Sequence, residues 1–419
     1  MLSELIKECE LAAEKVQKER AYLHMHPELS GEEFETLEYI KGRLSGMGLP
    51  FEEIENGGIL AWLDSGQPGK TLLLRADIDA LPVDESGDNL KKAKEAVSCR
   101  KGVSHACGHD AHTAMLLNAL VILAGHRDEL KGKIAALFER GEESAYGISA
   151  ILKYLIENKI RPDGCFAIHV NAAVPEGKIS VESGNVMCGA FGFDVSLIGR
   201  GGHSSRPDLS NNPVDCFVSI YNDLNGVRMR YTDPSECLTW AVGLLQGGDK
   251  SNVIPEKVRF SCLGRFFDVK KTADPFLKQA LKIVEKDAEI YDCRTEYGWI
   301  MKPTPSVHNH EMLSGLAGKW FNDYLGGDFV THAEPWMASE SYSFFSIMYP
   351  SVLAFLGIKN DRGCGAEHHT PEFDLNGEIL YKGVEAFTVY SVCFLNSDAE
   401  AVMEETPEEI YEAYKDRLF

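Results

Sequence analysis

Within nine residues, Ser104-His105-Ala106-Cys107-Gly108-His109-Asp110-Ala111-His112, the chain sets one thiol and three imidazoles at the mouth of an apolar stretch. The pattern is not that of a zinc finger, because no second Cys-x-x-Cys or His-x-x-x-His answers it nearby. It reads as half of a metal site whose other ligands come from far along the chain. Cys107 and His109 stand two apart across Gly108, and a glycine-containing turn can aim both inward. A thiol beside a dication ionises, which suits a zinc or manganese site; the bland alternative for Cys107 is a buried structural thiol. The adjacent carboxylates Glu142 and Glu143, with His169 and His369, are the candidate remote ligands. One carboxylate can bind metal while its neighbour takes a proton from water. Each also has an ordinary reading: a solvated charged turn for the Glu pair, a hydrogen-bonded core histidine for His169, a surface loop for His368-His369. His203 sits among Gly199, Gly201 and Gly202. That segment lacks both the Gly-Lys-Ser/Thr ending and the Gly-x-Gly-x-x-Gly spacing of phosphate loops.

Positioning these residues requires rigid elements. Helices are predicted over residues 3–24 and 32–47. Strands are predicted over Thr71–Arg75, Lys133–Phe138 and Phe166–Val170, with helices at Thr113–Ala124 and Ser149–Glu157 between them. This alternation predicts an α/β fold with a doubly wound, mostly parallel sheet. Asp77, Asp79, Glu142, Glu143 and His169 all fall at or just past the C-terminal end of a predicted strand, the edge where open α/β sheets form ligand sites. Between about residues 186 and 302 the order becomes β-α-β-β-α-β, that of an inserted ferredoxin-like α+β domain. The expected organisation is 1–185 and 303–419 for the catalytic domain and 186–302 for the insert. A helix at Met312–Tyr324, a strand at Val352–Gly357 and a closing helix at Gly377–Leu395 resume the first pattern, and residues 398–419 read as a solvated helix.

The 419-residue chain, 44% hydrophobic and 25% charged, has room for two or three domains. Its net charge of −22 argues against nucleic acid or an anionic membrane surface as a partner. Eleven cysteines without framework spacing fit free thiols in a reducing compartment. With no signal-peptide pattern at residues 1–8 and no run of about 18 apolar residues, the expected location is cytoplasmic.

Taken together, the segments Leu23-His24-Met25-His26-Pro27-Glu28-Leu29, Leu74-Arg75-Ala76-Asp77-Ile78-Asp79-Ala80-Leu81-Pro82, His105 through Met115, Gly141-Glu142-Glu143, Ile168-His169-Val170, Gly201-Gly202-His203, Asn252-Val253-Ile254-Pro255 and His369-Thr370-Pro371-Glu372-Phe373-Asp374 resemble the di-metal amidohydrolase and metallopeptidase family. That family includes hippurate hydrolases, indole-acetyl-amino-acid hydrolases and aminobenzoyl-glutamate hydrolases and, more distantly, aminoacylases and carboxypeptidase G. The resemblance implies two divalent metal ions, manganese or zinc, held by Cys107, His109, Glu143, His169 and His369. It implies Glu142 as general base, His203 as oxyanion stabiliser, and Asn252 and Arg265 as substrate-binding residues. Asp79 and Asp110 would orient ligands. The implied reaction is hydrolysis of the amide bond of an N-acyl or N-aroyl amino acid or small peptide, in a homodimer formed through the inserted domain, which would also act as a lid. The chain departs from the family pattern twice: Glu139-Arg140-Gly141 replaces a common Gln-Pro-Ala, and Ser341 replaces a common Asp.

Two rival readings use the same residues. In one, Cys107 is a nucleophile with a histidine as base. In the other, the chain keeps the fold but is a catalytically silent binding or assembly protein.

Overall fold

The protein is described by a computed structural model over residues 2–418. It divides into two compact units. The first takes the chain up to Val186, His308–Glu334 and the chain from Phe344 on; the second is Met187–Val307 with Pro335–Ser343.

The first unit is built on a seven-stranded sheet. Its strands lie in the order Phe51–Ile54, Gly58–Asp64, Lys133–Glu139, Thr71–Asp77, Gly164–Pro175, Ser351–Lys359 and Ile179–Ser180. The four strands from Lys133–Glu139 to Ser351–Lys359 run parallel, and antiparallel strands close both edges. The parallel strands carry nearly continuous apolar runs, such as Leu72, Leu73 and Leu74, because both of their faces are buried. Helix His109–Gly125 is buried almost all round and belongs to one core cluster with the helix Tyr381–Asn396. The register then places the chemistry. Asp77 pairs with Glu139, and Arg75 pairs with Ala167, so His169 comes level with Asp77 at one end of the sheet.

Local expectations failed where polar residues mask an element. The helix predicted from Thr113 begins at His109, since His109, Asp110 and His112 break the apolar run without breaking the helix. The first helix is two, Leu2–Leu11 and Ala13–Met25. The strand carrying His169 extends over Gly164–Pro175. In the acidic tail the helix is short, Pro407–Tyr414, started by a capping box between Thr406 and Glu409 and followed by a single 3-10 turn at Lys415–Arg417.

One buried charge in this core carries a prediction. Glu385 is buried on the Tyr381–Asn396 helix; Lys382 reaches one carboxyl oxygen at 3.1 Å, and the other has no hydrogen-bond partner. Burial, opposed by Lys382, pushes its pKa up to about 7. A raised carboxyl pKa favours the fold below the unfolded value, and that contribution is lost as pH rises through about 7. Glu385→Gln is therefore expected to match wild type in thermal stability near pH 4–5 and to exceed it by about 2–3 kcal/mol at pH 8. Melting curves at the two pH values check this; an equal offset at both would refute it.

The second unit has a four-stranded antiparallel sheet in the order Leu238–Gln246, Lys257–Phe266, Gly189–Ile198 and Arg294–Met301, with helices Pro213–Tyr231 and Asp274–Ile290. Along the chain these elements follow as β-α-β-β-α-β. Strand Lys257–Phe266 alternates buried and more exposed residues, as a sheet covered on one face requires. The returning segment Pro335–Ser343 is fastened to the start of this unit, where the Cys188 backbone N–H donates to the Ala338 carbonyl at 3.0 Å. Among the described residues no helix is long and apolar enough to cross a membrane.

Candidate active site

Gly108 makes the turn between Cys107 and His109 possible. Its φ is +92°, and a Cβ there would lie 2.4 Å from Val170 Cγ2. His109 then opens the helix His109–Gly125, while Cys107 stays in the preceding turn. Four segments converge around this point. Cys107, Glu143 and His369 form one group of ligand-type atoms, and His109, Glu142 and Glu143 form a second. Asp77, His109, His112 and His169 form a third; within each group the atoms lie within 4.8 Å of one another. Cys107 Sγ is 3.7 Å from His169 Nε2, and His369 Nε2 is 3.3 Å from Glu143 Oε1. All these residues belong to the first unit.

Hydrogen-bond partners sort four of the five histidines by which nitrogen carries the proton. His169 Nδ1 donates to the Val170 carbonyl at 2.7 Å, so its Nε2 presents a lone pair toward Cys107. His109 Nδ1 donates to Asp79 Oδ1 at 3.0 Å, which turns Nε2 toward the carboxylates of Asp77 and Glu143. His112 has both nitrogens committed. Its Nε2 accepts from the Val170 N–H at 2.9 Å and its Nδ1 donates to Asp77 at 2.6 Å, so it orients its neighbours and is no ligand. His368 Nε2 accepts from the Ala172 N–H at 3.3 Å, so its protonated Nδ1 faces Cys107 Sγ at 3.7 Å as a donor. His369, one residue on, is the imidazole that meets Glu143. It holds a left-handed backbone at φ 65°, a costly conformation for a non-glycine residue, fixed by its N–H bond to the Ala106 carbonyl.

The donor set fits a metal. Among the described residues His109 Nε2 and Glu143 Oε1 are both buried and make no hydrogen bond, and at 3.7 Å apart they are too far to bond each other. Bond lengths of about 2.0–2.3 Å to one tetrahedral ion put two donor atoms about 3.3–3.8 Å apart. Electrostatics agree. Burial lowers the pKa of His109, but Asp77, Asp79 and Glu143 outweigh it and raise it to about 10. Burial and the carboxylates of Glu143, Glu142 and Asp77 hold the Cys107 thiol well above its ordinary value. Acidic side chains packed this closely call for a cation.

The departure at Glu139-Arg140-Gly141 has a structural account. Glu139 accepts from Arg75 Nε at 2.7 Å, and Arg75 also reaches Asp77 at 2.8 Å. Arg140 donates to Glu33 at 2.8 Å and to the Gly31 carbonyl at 2.7 Å, while the Gly141 N–H donates to the other Glu33 oxygen at 2.8 Å. Glu33 thus clamps the turn that presents Glu142 and Glu143. Asp79 accepts from the Glu143 N–H at 3.0 Å and holds that turn from the other side. Sequence reasoning placed Asp77 at the ligand edge of the sheet and named His112 and His368 within their motifs, but gave none of the three a role; nothing in the sequence marked Glu33.

His203, Asn252 and Arg265 lie in the second unit. His203 pairs with Val253 across a two-residue ladder, next to Asn252, whose carbonyl accepts from the Ser204 N–H at 3.1 Å. His203 Nδ1 accepts from the Ser205 N–H, so the exposed imidazole offers Nε2–H as a donor. Arg265 lies on the strand Lys257–Phe266, paired with Ala190. Ser341, standing where the family commonly has Asp, donates to Glu340 at 3.2 Å.

Comparison with known proteins agrees with this geometry. Residues 73–390 match the model of Peptidase family M20/M25/M40. The chain is 31% identical over 388 residues to an IAA-amino acid hydrolase, ILR1-like 2, of Arabidopsis thaliana, covering 91% of this chain and 85% of that one. It is 29% identical over 364 residues to the N-acetyl-L-cysteine deacetylase of Bacillus subtilis, covering 87% and 84%. The crystal structure of the Bacillus subtilis YXEP protein, a dinuclear metal binding peptidase, superposes with a TM-score of 0.74 at 26% identity, covering 91% of this chain and 98% of that one. With the matching family model spanning most of its length, a parallel-centred sheet and a metal-ligand cluster at the sheet's end, the chain belongs to Peptidase family M20/M25/M40 and is a hydrolase of that metallopeptidase family.

Proposed function

We propose that this hydrolase cleaves the amide bond of N-acyl or N-aroyl amino acids, or of small peptides, at a site for two divalent metal ions, manganese or zinc. The observation that carries the reading is the pair of buried atoms His109 Nε2 and Glu143 Oε1, neither hydrogen-bonded among the described residues, inside a cluster of ligand-type side chains. Cys107, His109, Glu143, His169 and His369 would hold the ions; one thiolate among imidazoles and carboxylates suits zinc or manganese. When bound, the ions polarise the scissile carbonyl and acidify the attacking water. Glu142, beside Glu143, takes the water's proton and delivers it to the leaving nitrogen. His203 donates Nε2–H to the oxyanion, a contribution of about 3–4 kcal/mol in comparable sites. Asn252 and Arg265 bind the substrate's carbonyl or carboxylate. The IAA-amino acid hydrolase and N-acetyl-L-cysteine deacetylase relatives support amino-acid conjugates as the substrate class. Against Cys107 as nucleophile stands its environment: reactive cysteines have lowered pKa values, and burial among carboxylates pushes this one up.

The second unit is the proposed lid and homodimerisation domain, on the 186–302 segment. Val214, Val218 and Tyr221 expose an apolar stripe at helical spacing on Pro213–Tyr231, and Leu245, Leu263 and Trp299 are exposed on its sheet. Unpaired cysteines throughout suit work in the cytoplasm.

Elemental analysis combined with an assay panel of hippurate, N-acetyl amino acids, indole-acetyl amino acids, aminobenzoyl-glutamate and dipeptides tests the reading. Two metal equivalents per chain, turnover of at least one conjugate, and loss on chelation reversed by Mn²⁺ or Zn²⁺ are expected. A metal-free protein inert on the whole panel would instead be a silent binding protein.

A further inference from the structure

We propose that Lys94, working through Glu85, is a positioning residue that holds His369 in its ligand geometry; this rests on His369 being a metal ligand, as read above. The Lys94 ammonium is buried, with 1% of its side chain exposed, a costly place for a charge. It donates to Glu85 Oε1 at 2.8 Å and to the Pro371 carbonyl at 2.8 Å. The Ser86 N–H donates to the same carbonyl at 3.0 Å. Pro371 is two residues beyond His369, whose left-handed backbone needs outside support.

Glu85 is the hub. It also accepts from the Ser98 N–H at 2.7 Å and from His24 Nε2 at 2.9 Å. His24 bonds Asp110 through Nδ1 at 2.8 Å, and Arg20 bonds the same Asp110 oxygen at 2.7 Å. Asp110 adjoins His109. An unbroken series of side chains therefore joins the segment carrying Cys107 and His109 to the loop carrying His369: Asp110, His24, Glu85, Lys94, then the Pro371 carbonyl. The stretch between Glu85 and Ser98 has no regular helix or strand, and the buried lysine gives that irregular path a purpose. Asn89 adds a second fastening to the same loop, donating to Asp374 at 2.8 Å.

Lys94→Met removes the donor to Pro371 and leaves Glu85 with His24 and the Ser98 N–H. Two readouts decide the matter. In metal-free protein, the His369 amide, bonded to the Ala106 carbonyl at 2.9 Å, is expected to lose protection from hydrogen exchange by roughly tenfold or more, while core amides of the sheet keep theirs. In Co²⁺ titrations of the apoprotein, one of the two equivalents is expected to bind roughly 10–100-fold more weakly, the usual cost of removing an orienting partner. Lys94→Arg, which keeps donors for both acceptors, is expected to restore both readouts in large part. Lys91→Met is the control, because its exposed ammonium bonds the Asp361 carbonyl, ten residues before Pro371. If the Met variant does not fold, Lys94→Gln, whose uncharged amide nitrogen ends one bond short of the lysine nitrogen that meets both acceptors, is read in the same way. Native exchange at His369 with native Co²⁺ affinity in the variant overturns the proposal, as does equal loss in the Arg variant. Wild-type protein that takes up no second equivalent would sink the two-metal reading instead, and the exchange measurement would still judge Lys94.

Discussion

Glu142→Gln should cut turnover by about 10²–10⁴-fold, the range for losing a general base, while the protein keeps its full complement of metal. Glutamine matches glutamate in size but cannot take a proton at neutral pH. The carboxylate lies in one group with His109 and Glu143, so two roles compete for it, base and ligand, and the variant separates them. The measurement is metal content by elemental analysis, set beside kcat on the best conjugate. Near-normal turnover would remove Glu142 from the proposed role. Loss of a metal equivalent together with activity would reassign it as a ligand.

Arg140→Met is expected to destabilise the first unit by about 3–5 kcal/mol, because it strands a buried carboxylate. Glu33 is fully buried, and without Arg140 it would keep backbone N–H donors alone, that of Gly141 among them, with no cation to offset its charge. Burial already pushes the Glu33 pKa up, opposed by backbone N–H groups at Gly31 and Glu33 and by Arg140, so the variant's carboxyl should take up a proton at higher pH than wild type's. The double variant Glu33→Leu, Arg140→Met removes both charges and is expected to recover much of the loss, since replacing a buried ion pair by apolar residues is often neutral. Denaturant melts with chelator present read the fold without the metal's contribution. If the single variant melted as wild type does, the Glu33–Arg140 clamp would have no part in holding the Glu142-Glu143 turn. Because that turn is also tied to Asp79, weakened metal binding should accompany the loss of stability.

Much of the proposed ligand set was legible because its residue types are rare in combination and the Glu142-Glu143 pair follows closely on a strand. Cys107, His109 and Glu143, with His169 and His369, come together in overlapping groups. Less legible was the division of labour among the histidines. His112 lies in the same motif as His109 and looks equally fit to bind a metal, yet it is committed to Asp77 and the Val170 N–H. His368 and His369 are adjacent, and only the Ala172 N–H shows which of them has a nitrogen turned elsewhere. A tautomer depends on partners brought from other segments, and no periodicity encodes them.

Alternating apolar strands and helices, and ligand-type residues just past the strands, were enough to establish the α/β class and where along the chain the site would form. Those features are local: backbone periodicity and side-chain chemistry act within a few residues. What needed the folded chain was everything set by long-range pairing. The antiparallel edges of the sheet, the return of Pro335–Ser343 to the second unit, the Glu33 clamp on the Glu pair and the buried series from Asp110 to Pro371 all join segments distant in sequence. Their partners are chosen by packing and by the cost of leaving a buried charge unpaired, and that cost arises only once burial is complete.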